Sequence, residues 1–147
     1  MNADNTKKLW DTFPRLYKDK DAPITQSLIP FGFECGDGWF QLIWDLSEKL
    51  EKLIEGFGEI EYPPKAVQVK EKYGTLRFYM TSTNGIMDKF IDEAENRSAH
   101  TCEVCGRRGK IRGSRWSYCA CIYHTCYEDL KWYQKPVKYI VKLALGE

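Results

Sequence analysis

The chain has no apolar run long enough to span a bilayer, which sets aside a membrane helix. Its first residues, Met1-Asn2-Ala3-Asp4-Asn5-Thr6-Lys7-Lys8, hold no apolar stretch of the signal-peptide kind, so a reducing cytoplasm is the expected compartment. Histidine is scarce, with only His100 and His124, and that is a poor inventory for metal-assisted hydrolysis. Net charge is nearly absent too, +1 at neutral pH, which argues against a wholly basic nucleic-acid binder. There is no internal repeat, low-complexity tract or long linker. A chain of 147 residues with this share of apolar and aromatic side chains supports one domain with its own core.

Cysteine, by contrast, is present in a pattern. Cys102-Glu103-Val104-Cys105-Gly106 is followed, after fifteen intervening residues from Cys105, by Cys121-Ile122-Tyr123-His124. Two pairs at this spacing suit a tetrahedral ion, so Cys102, Cys105, Cys121 and His124 read as a structural zinc site. Gly106 supplies the permissive backbone that a turn behind the second thiolate needs. Cys119 and Cys126 flank the second pair, and either is an alternative to Cys121 or His124; an all-cysteine set of Cys102, Cys105, Cys121 and Cys126 is the main competitor. Two disulfides are the other alternative, and the expected reducing compartment opposes them. Four protein ligands leave no open position for substrate, so the site concerns folding more than chemistry.

Apolar residues Trp39, Leu42, Ile43, Leu46, Leu50, Leu53 and Ile54 recur at helical intervals over 39–57, with Asp45, Glu48, Glu51 and Glu55 on the opposite face and Gly56 and Gly58 at the end. Phe40 and Trp44 fall one turn apart between the two faces, where they either widen the buried stripe or form a patch open to a partner. After Pro63-Pro64, segments 66–70 and 75–80 alternate with period two around Tyr73-Gly74, a hairpin with Val67, Val69, Leu76, Phe78 and Met80 as core candidates and Arg77 and Tyr79 on the other face. Such a hairpin needs helices or further strands, the latter from the zinc region, to be stable. A second helix is expected over 86–98 with Ile86, Met87, Phe90, Ile91 and Ala94 on one side. A short N-terminal helix precedes a loop around Leu9, Phe13, Leu16 and Tyr17. The expected fold is α+β in a single domain 1–147: amphipathic helices on a small antiparallel sheet over 1–99, a CCCH-type, zinc-ribbon-like unit over 100–126, and a basic amphipathic helix over 127–147.

Phe33-Glu34-Cys35-Gly36-Asp37-Gly38-Trp39-Phe40, then Gln68 to Phe78, then Ala94-Glu95 with Ser98, then Thr101 to Gly106, Trp116, Cys121 and His124, form an ordered set. That set is similar to a family of small uncharacterised phage, prophage and bacterial proteins, over about residues 30–125. The resemblance implies a phage or mobile-element context, and hence host cytoplasm, but no activity. Members show a plainer second knuckle, so the crowding of Cys119, Cys121 and Cys126 leaves the fourth ligand open, and the tail after Tyr127 is not covered.

Glu34, Cys35 and Asp37 have the residue types of an acid and a nucleophile at a helix start, yet no histidine lies near them in sequence. The plainer assignment is Asp37 as helix N-cap, Gly36 and Gly38 for loop geometry, and Cys35 as a small buried residue. His100 reads as a surface histidine. Arg107, Arg108, Lys110, Arg112 and Arg115 concentrate positive charge between the knuckles, and Lys131, Lys135, Lys138 and Lys142 add a row beside Trp132 and Tyr139. Such charges suit phosphates or simply a solvated face. Taken together, the sequence favours a non-enzymatic, zinc-stabilised inhibitor or adaptor that engages a host or antiviral-defence protein through Phe40, Trp44 and Glu48. The alternative is binding of a nucleic acid or nucleotide, including sequestration of a nucleotide signal, through the arginine loop. A zinc or cysteine enzyme is the third reading.

Overall fold

The computed structural model describes residues 1–112 and 118–121. In chain order they form α1 (Ala3–Thr12), a 3₁₀ turn (Ile29–Phe31), β1 (Phe33–Glu34), a 3₁₀ turn (Asp37–Trp39), α2 (Phe40–Gly56), β2 (Ala66–Lys72), β3 (Thr75–Met80), α3 (Gly85–Ser98), β4 (Gly109–Arg112) and β5 (Tyr118–Cys121). The class is α+β, with three helices and a three-stranded sheet of order β1-β2-β3 among the described residues. No helix among them is long and apolar enough to cross a membrane.

The sheet is mixed rather than antiparallel throughout. Phe33 and Glu34 run parallel to Val69 and Lys70, because α2 intervenes and returns the chain to the same end, as a strand-helix-strand crossover does. A strand of two residues carries no alternation to betray it in sequence. The expected hairpin is present, and its turn places Tyr73 at φ 56° and Gly74 at φ 83°, the two left-handed positions of a two-residue connection. A register shift between Ala66 and Gln68 corrects the core assignment: Ala66 and Val69 are buried while Val67 is only half-buried, because the bulge breaks the period-two alternation.

The core lies between the sheet's inner face and the helices. Val69, Leu76 and Phe78 meet Trp39, Leu42, Ile43, Leu46, Leu50 and Ile54 of the α2 segment and Met87, Ile91 and Ala94 of α3. Ile86 is exposed, contrary to its place on the expected stripe, since the buried face of α3 runs through Met87, Ile91, Ala94 and Ser98 and its phase leaves Ile86 to one side. The N-terminal segment contributes more than its weak periodicity suggests: Leu9, Leu16 and Tyr17 are fully buried. The Tyr17 hydroxyl shares a hydrogen bond of 2.6 Å with Ser47, its ring meets Phe33 edge-on at 5.2 Å, and burial pushes its ionisation upward.

Carboxylates serve the main chain at several points. Glu51, expected on the solvent face of α2, is buried and accepts from the amides of Arg15 at 3.0 Å and Leu16 at 2.8 Å. The loop after α1 needs acceptors for amides that no helix or strand satisfies, and this is the reason for the exception. Glu71 accepts from Gly74 N at 2.6 Å, closing the hairpin turn. On the outer edge of β3, Ser98 accepts from Leu76 N at 2.8 Å and Glu95 from Phe78 N at 3.2 Å, with Arg77 at 3.2 Å from the same carboxylate. Those two side chains blunt an edge that would otherwise offer free amides to another strand.

Candidate metal centre and its seat

Beyond α3 the chain turns back on itself in a tight knuckle. The amide of Cys102 donates to Arg107 O at 2.7 Å, that of Gly106 to Cys102 O at 2.8 Å, and that of Gly109 to His100 O at 2.8 Å. Gly106, at φ 73°, occupies the left-handed position that the sequence assigns to it. The Cys102 sulfur is fully buried and accepts from the backbone amides of Val104 and Cys105, and the Cys105 thiol lies in hydrogen-bond contact with it. Burial pushes the Cys102 thiol up, while the two amides oppose that and favour the thiolate that a metal requires. Two sulfurs on one turn, one of them amide-supported, fit half of a tetrahedral zinc shell.

The second half falls at or beyond the margin of the described residues. β4 and β5 pair antiparallel as a separate two-stranded sheet, with Gly109 opposite Cys121, so the backbone carrying Cys121 runs beside the end of the knuckle. These strands do not extend the main sheet, which gains β1 instead. His124, Cys126, Arg115, Trp116 and the tail lysines lie outside the described residues, as do the side chains of Arg112, Cys119 and Cys121. Among the described residues no group of three or more histidine, cysteine, aspartate or glutamate side chains is placed to hold an ion.

The knuckle sits on the Phe33 to Trp39 segment, a union that sequence separation hid. Gly36 N donates to the Glu103 carboxylate at 2.7 Å, Gly38 N to Glu103 O at 2.7 Å, and the Trp39 indole to Thr101 O at 2.8 Å. Backbone lies against backbone here. A Cβ on Gly38 would stand 2.3 Å from Cys102 O, 2.4 Å from Gly106 N and 2.6 Å from Glu103 O, and one on Gly36 would stand 2.3 Å from Glu103 O. The two glycines are thus demanded by close approach rather than by loop flexibility. Burial raises the Glu103 carboxyl against the pull of the Gly36 amide. Nothing in the identity of a residue between two knuckle cysteines signals this bond, although the Gly-Asp-Gly pattern does signal a crowded backbone.

The neighbouring acid and thiol are occupied structurally. Cys35 is buried and its thiol is pushed up to about 12, chiefly by burial, which agrees with its reading as a small core residue. Asp37 is not the N-cap of its own turn: Gly36 holds that position without a side-chain bond. Asp37 instead accepts from Asn2 N at 2.8 Å and Asn5 Nδ2 at 3.1 Å, fastening α1, because its side chain is directed to the start of that helix, where the N-cap amide of Asn2 has no partner within the helix. The Met1 ammonium donates to Phe33 O at 3.0 Å and also to Cys35 O. Glu34 holds Gln68 at 2.7 Å, and His100 is exposed.

Charge elsewhere divides into paired and unpaired sets. Phe40 and Trp44 are half-buried, with ring centroids 5.6 Å apart, and Trp44 meets Phe13 edge-on at 5.0 Å. Around them Asp45 pairs with Arg97 at 3.3 Å, Glu48 with Lys52 at 3.0 Å, Lys49 with Glu93 at 3.0 Å and Glu55 with Arg15 at 3.5 Å. Arg107 and Arg108 on the knuckle and Lys110 on the adjoining β4 are exposed and make no ion pair with the described residues. The chain matches no protein-family model, no curated protein and no solved structure in the three comparisons made.

Proposed function

We propose that this is a non-enzymatic nucleic-acid-binding protein, stapled by structural zinc, that grips phosphates with the basic rim of its knuckle. The observation that carries this reading is the division of charge. The acids of α2 have cationic partners, whereas Arg107, Arg108 and Lys110 stand exposed and without an ion pair among the described residues. Cations on a backbone fixed at both ends by the knuckle bonds have little ordering cost when a phosphate arrives. The residues whose types hinted at catalysis have other duties: Cys35 fills the core, Asp37 fastens α1, and Glu103 joins the knuckle to its seat. Zinc chemistry, when the ion is bound, is that of a cross-link. Cys102 and Cys105 would hold it, with Cys121 and His124 or a neighbouring cysteine completing the set.

The test is titration of labelled single-stranded and duplex oligonucleotides between about 50 and 200 mM salt. Wild-type affinity should fall steeply with salt, and changing Arg107, Arg108 and Lys110 to Ala should weaken binding and reduce the logarithmic salt slope by about three if each contacts a phosphate. Absence of salt-dependent binding by folded, metal-loaded protein would remove this reading. A protein partner for Phe40 and Trp44, such as a host or defence protein, is the second reading, favoured by two half-buried rings side by side at the surface. Loss of capture in a stable Trp44→Ala variant would support it.

A further inference from the structure

The outer face of the main sheet carries two further lysines, Lys70 and Lys72, without an ion pair among the described residues. Alternation along β2 sends Val69 inward and Lys70 and Lys72 outward, and along β3 it sends Leu76 and Phe78 inward and Tyr79 outward. Tyr79 is 40% exposed and Tyr73, at the turn, 64% exposed. The Lys70 ammonium lies 5.6 Å from the Tyr79 ring centroid, and that of Lys72 lies 5.4 Å from the Tyr73 ring centroid. Neither lysine makes an ion pair with the described residues. Glu34, in register beside Lys70, directs its carboxylate to Gln68, and Arg77, opposite Lys70 on β3, is paired with Glu95.

Two further features mark the same face. A cleft of about 480 Å³ opens between residues 24–28 and the strands, lined by Ile24, Leu28, Val67, Lys70, Tyr79 and Met80. The turn residue Tyr73 keeps φ 56° although asparagine or glycine would hold that position with less strain. A bulky exposed ring in a conformation that disfavours it contributes nothing evident to folding.

We infer that this face is a stacking platform for single-stranded nucleic acid, with Tyr79 and Tyr73 stacking bases and Lys70 and Lys72 taking phosphates. This rests on the proposed nucleic-acid function and adds to it the strand state of the ligand and a second contact surface. Alternating aromatic and cationic side chains are what an unpaired strand needs, since each nucleotide offers one flat face and one charge. A duplex hides its base faces. An exposed lysine over a tyrosine gains little by staying there, so a ligand that gives the lysine a phosphate and the ring a base replaces a weak contact with two stronger ones. The cleft beside Tyr79 has room for an unstacked base, with both apolar walls (Ile24, Leu28, Met80) and polar ones (Gln26, Gln68) to meet it. The hairpin is joined to the start of the knuckle through the Leu76 to Ser98 hydrogen bond and the short run from Ser98 to Thr101.

Fluorescence anisotropy with labelled oligo(dT) and oligo(U) of about twelve nucleotides, with duplex as competitor, tests this. Tyr79→Ala and Tyr73→Asn should each weaken single-strand binding about tenfold, Tyr79→Phe should retain it, and duplex should compete poorly. Tyr73→Asn also separates binding from folding, because it should raise the melting temperature while lowering affinity. If the Arg107, Arg108 and Lys110 substitutions weaken binding while the tyrosine variants bind as wild type, the platform is overturned and the proposed function stands. If the tyrosine variants lose affinity and the rim variant does not, the platform stands and the rim assignment falls. No binding of any oligonucleotide by wild type overturns both.

Discussion

The seam between the Gly36 to Trp39 segment and the knuckle, and the outer face of α2, use charged and aromatic residues to opposite ends. In the seam a carboxylate and an indole reach main-chain groups, and glycines let one backbone lie directly on another. On α2 the charges pair within the helix or with α3 in solvent, where each pair is worth about 0–1 kcal/mol. The first region allows almost no change of shape, while the second tolerates most. Glu51 shows that the distinction is not one of element. It stands on α2 within one turn of Glu48 and Glu55 and shares the Arg15 guanidinium with Glu55, at 3.8 Å, yet it is buried and its hydrogen bonds come from two main-chain amides.

The largest expected effect tests whether the seam depends on metal. Cys102→Ser or Cys105→Ser should lose zinc outright and lower stability sharply, whereas Cys35→Ser should keep the ion; elemental analysis and thermal melting with and without chelator measure both. A wild type that holds no zinc and melts identically with chelator would show that hydrogen bonds alone hold the knuckle. Gly38→Ala comes next. Its Cβ would meet three backbone atoms closer than van der Waals contact allows, none of which can swing aside, so a loss of about 3 kcal/mol or more is expected in denaturant titration. An alanine accommodated at little cost would mean that the seam is loose.

Glu51 and Glu48 give the comparison its most direct test. Glu51→Ala leaves the amides of Arg15 and Leu16 without their acceptor and should cost about 2–4 kcal/mol, with Glu51→Gln retaining part through its one carbonyl oxygen. Glu48→Ala, which only frees Lys52, should lie within about 0.5 kcal/mol of wild type. Equal costs would erase the division between the two regions.

The sequence discloses elements built on a repeated signal and hides those built on single contacts. The 39–57 helix, the 66–80 hairpin and the 86–98 helix are legible because apolar residues repeat along them, and the structure has α2, the β2–β3 hairpin and α3 in those places. The two-residue β1, the 3₁₀ turn Ile29–Phe31 and the N-terminal share of the core are not, since their stability comes from residues 30 or more positions away. The knuckle spacing of Cys102 and Cys105 is legible as a local motif. What it rests on is not: Glu103, Gly36 and Gly38 are joined only by folding, so the Gly-Asp-Gly segment reads in sequence as loop geometry, whereas the contacts make its glycines points of close backbone approach. The same holds for Glu95 and Ser98, whose work at the β3 edge is invisible until strand and helix are side by side.

The smallest predicted effect concerns Asp37, a carboxylate that is exposed like those of α2 but bonded like those of the seam. Its slight burial acts to raise the carboxyl, yet the Asn2 amide, the Asn5 side chain and the Met1 ammonium outweigh this and hold it below its ordinary value. A carboxyl depressed in the folded state contributes stability that is present above its unfolded value of about 3.9 and is lost as pH falls through the folded one. Wild type should therefore exceed Asp37→Asn in stability near neutral pH by a margin that shrinks below about pH 4 and vanishes once the carboxyl is protonated in both states. Parallel urea titrations of the two proteins across that range measure the margin. A margin unchanged with pH would mean that Asp37 holds Asn2 and Asn5 by shape alone, and would move it to the tolerant side of the comparison with Glu48.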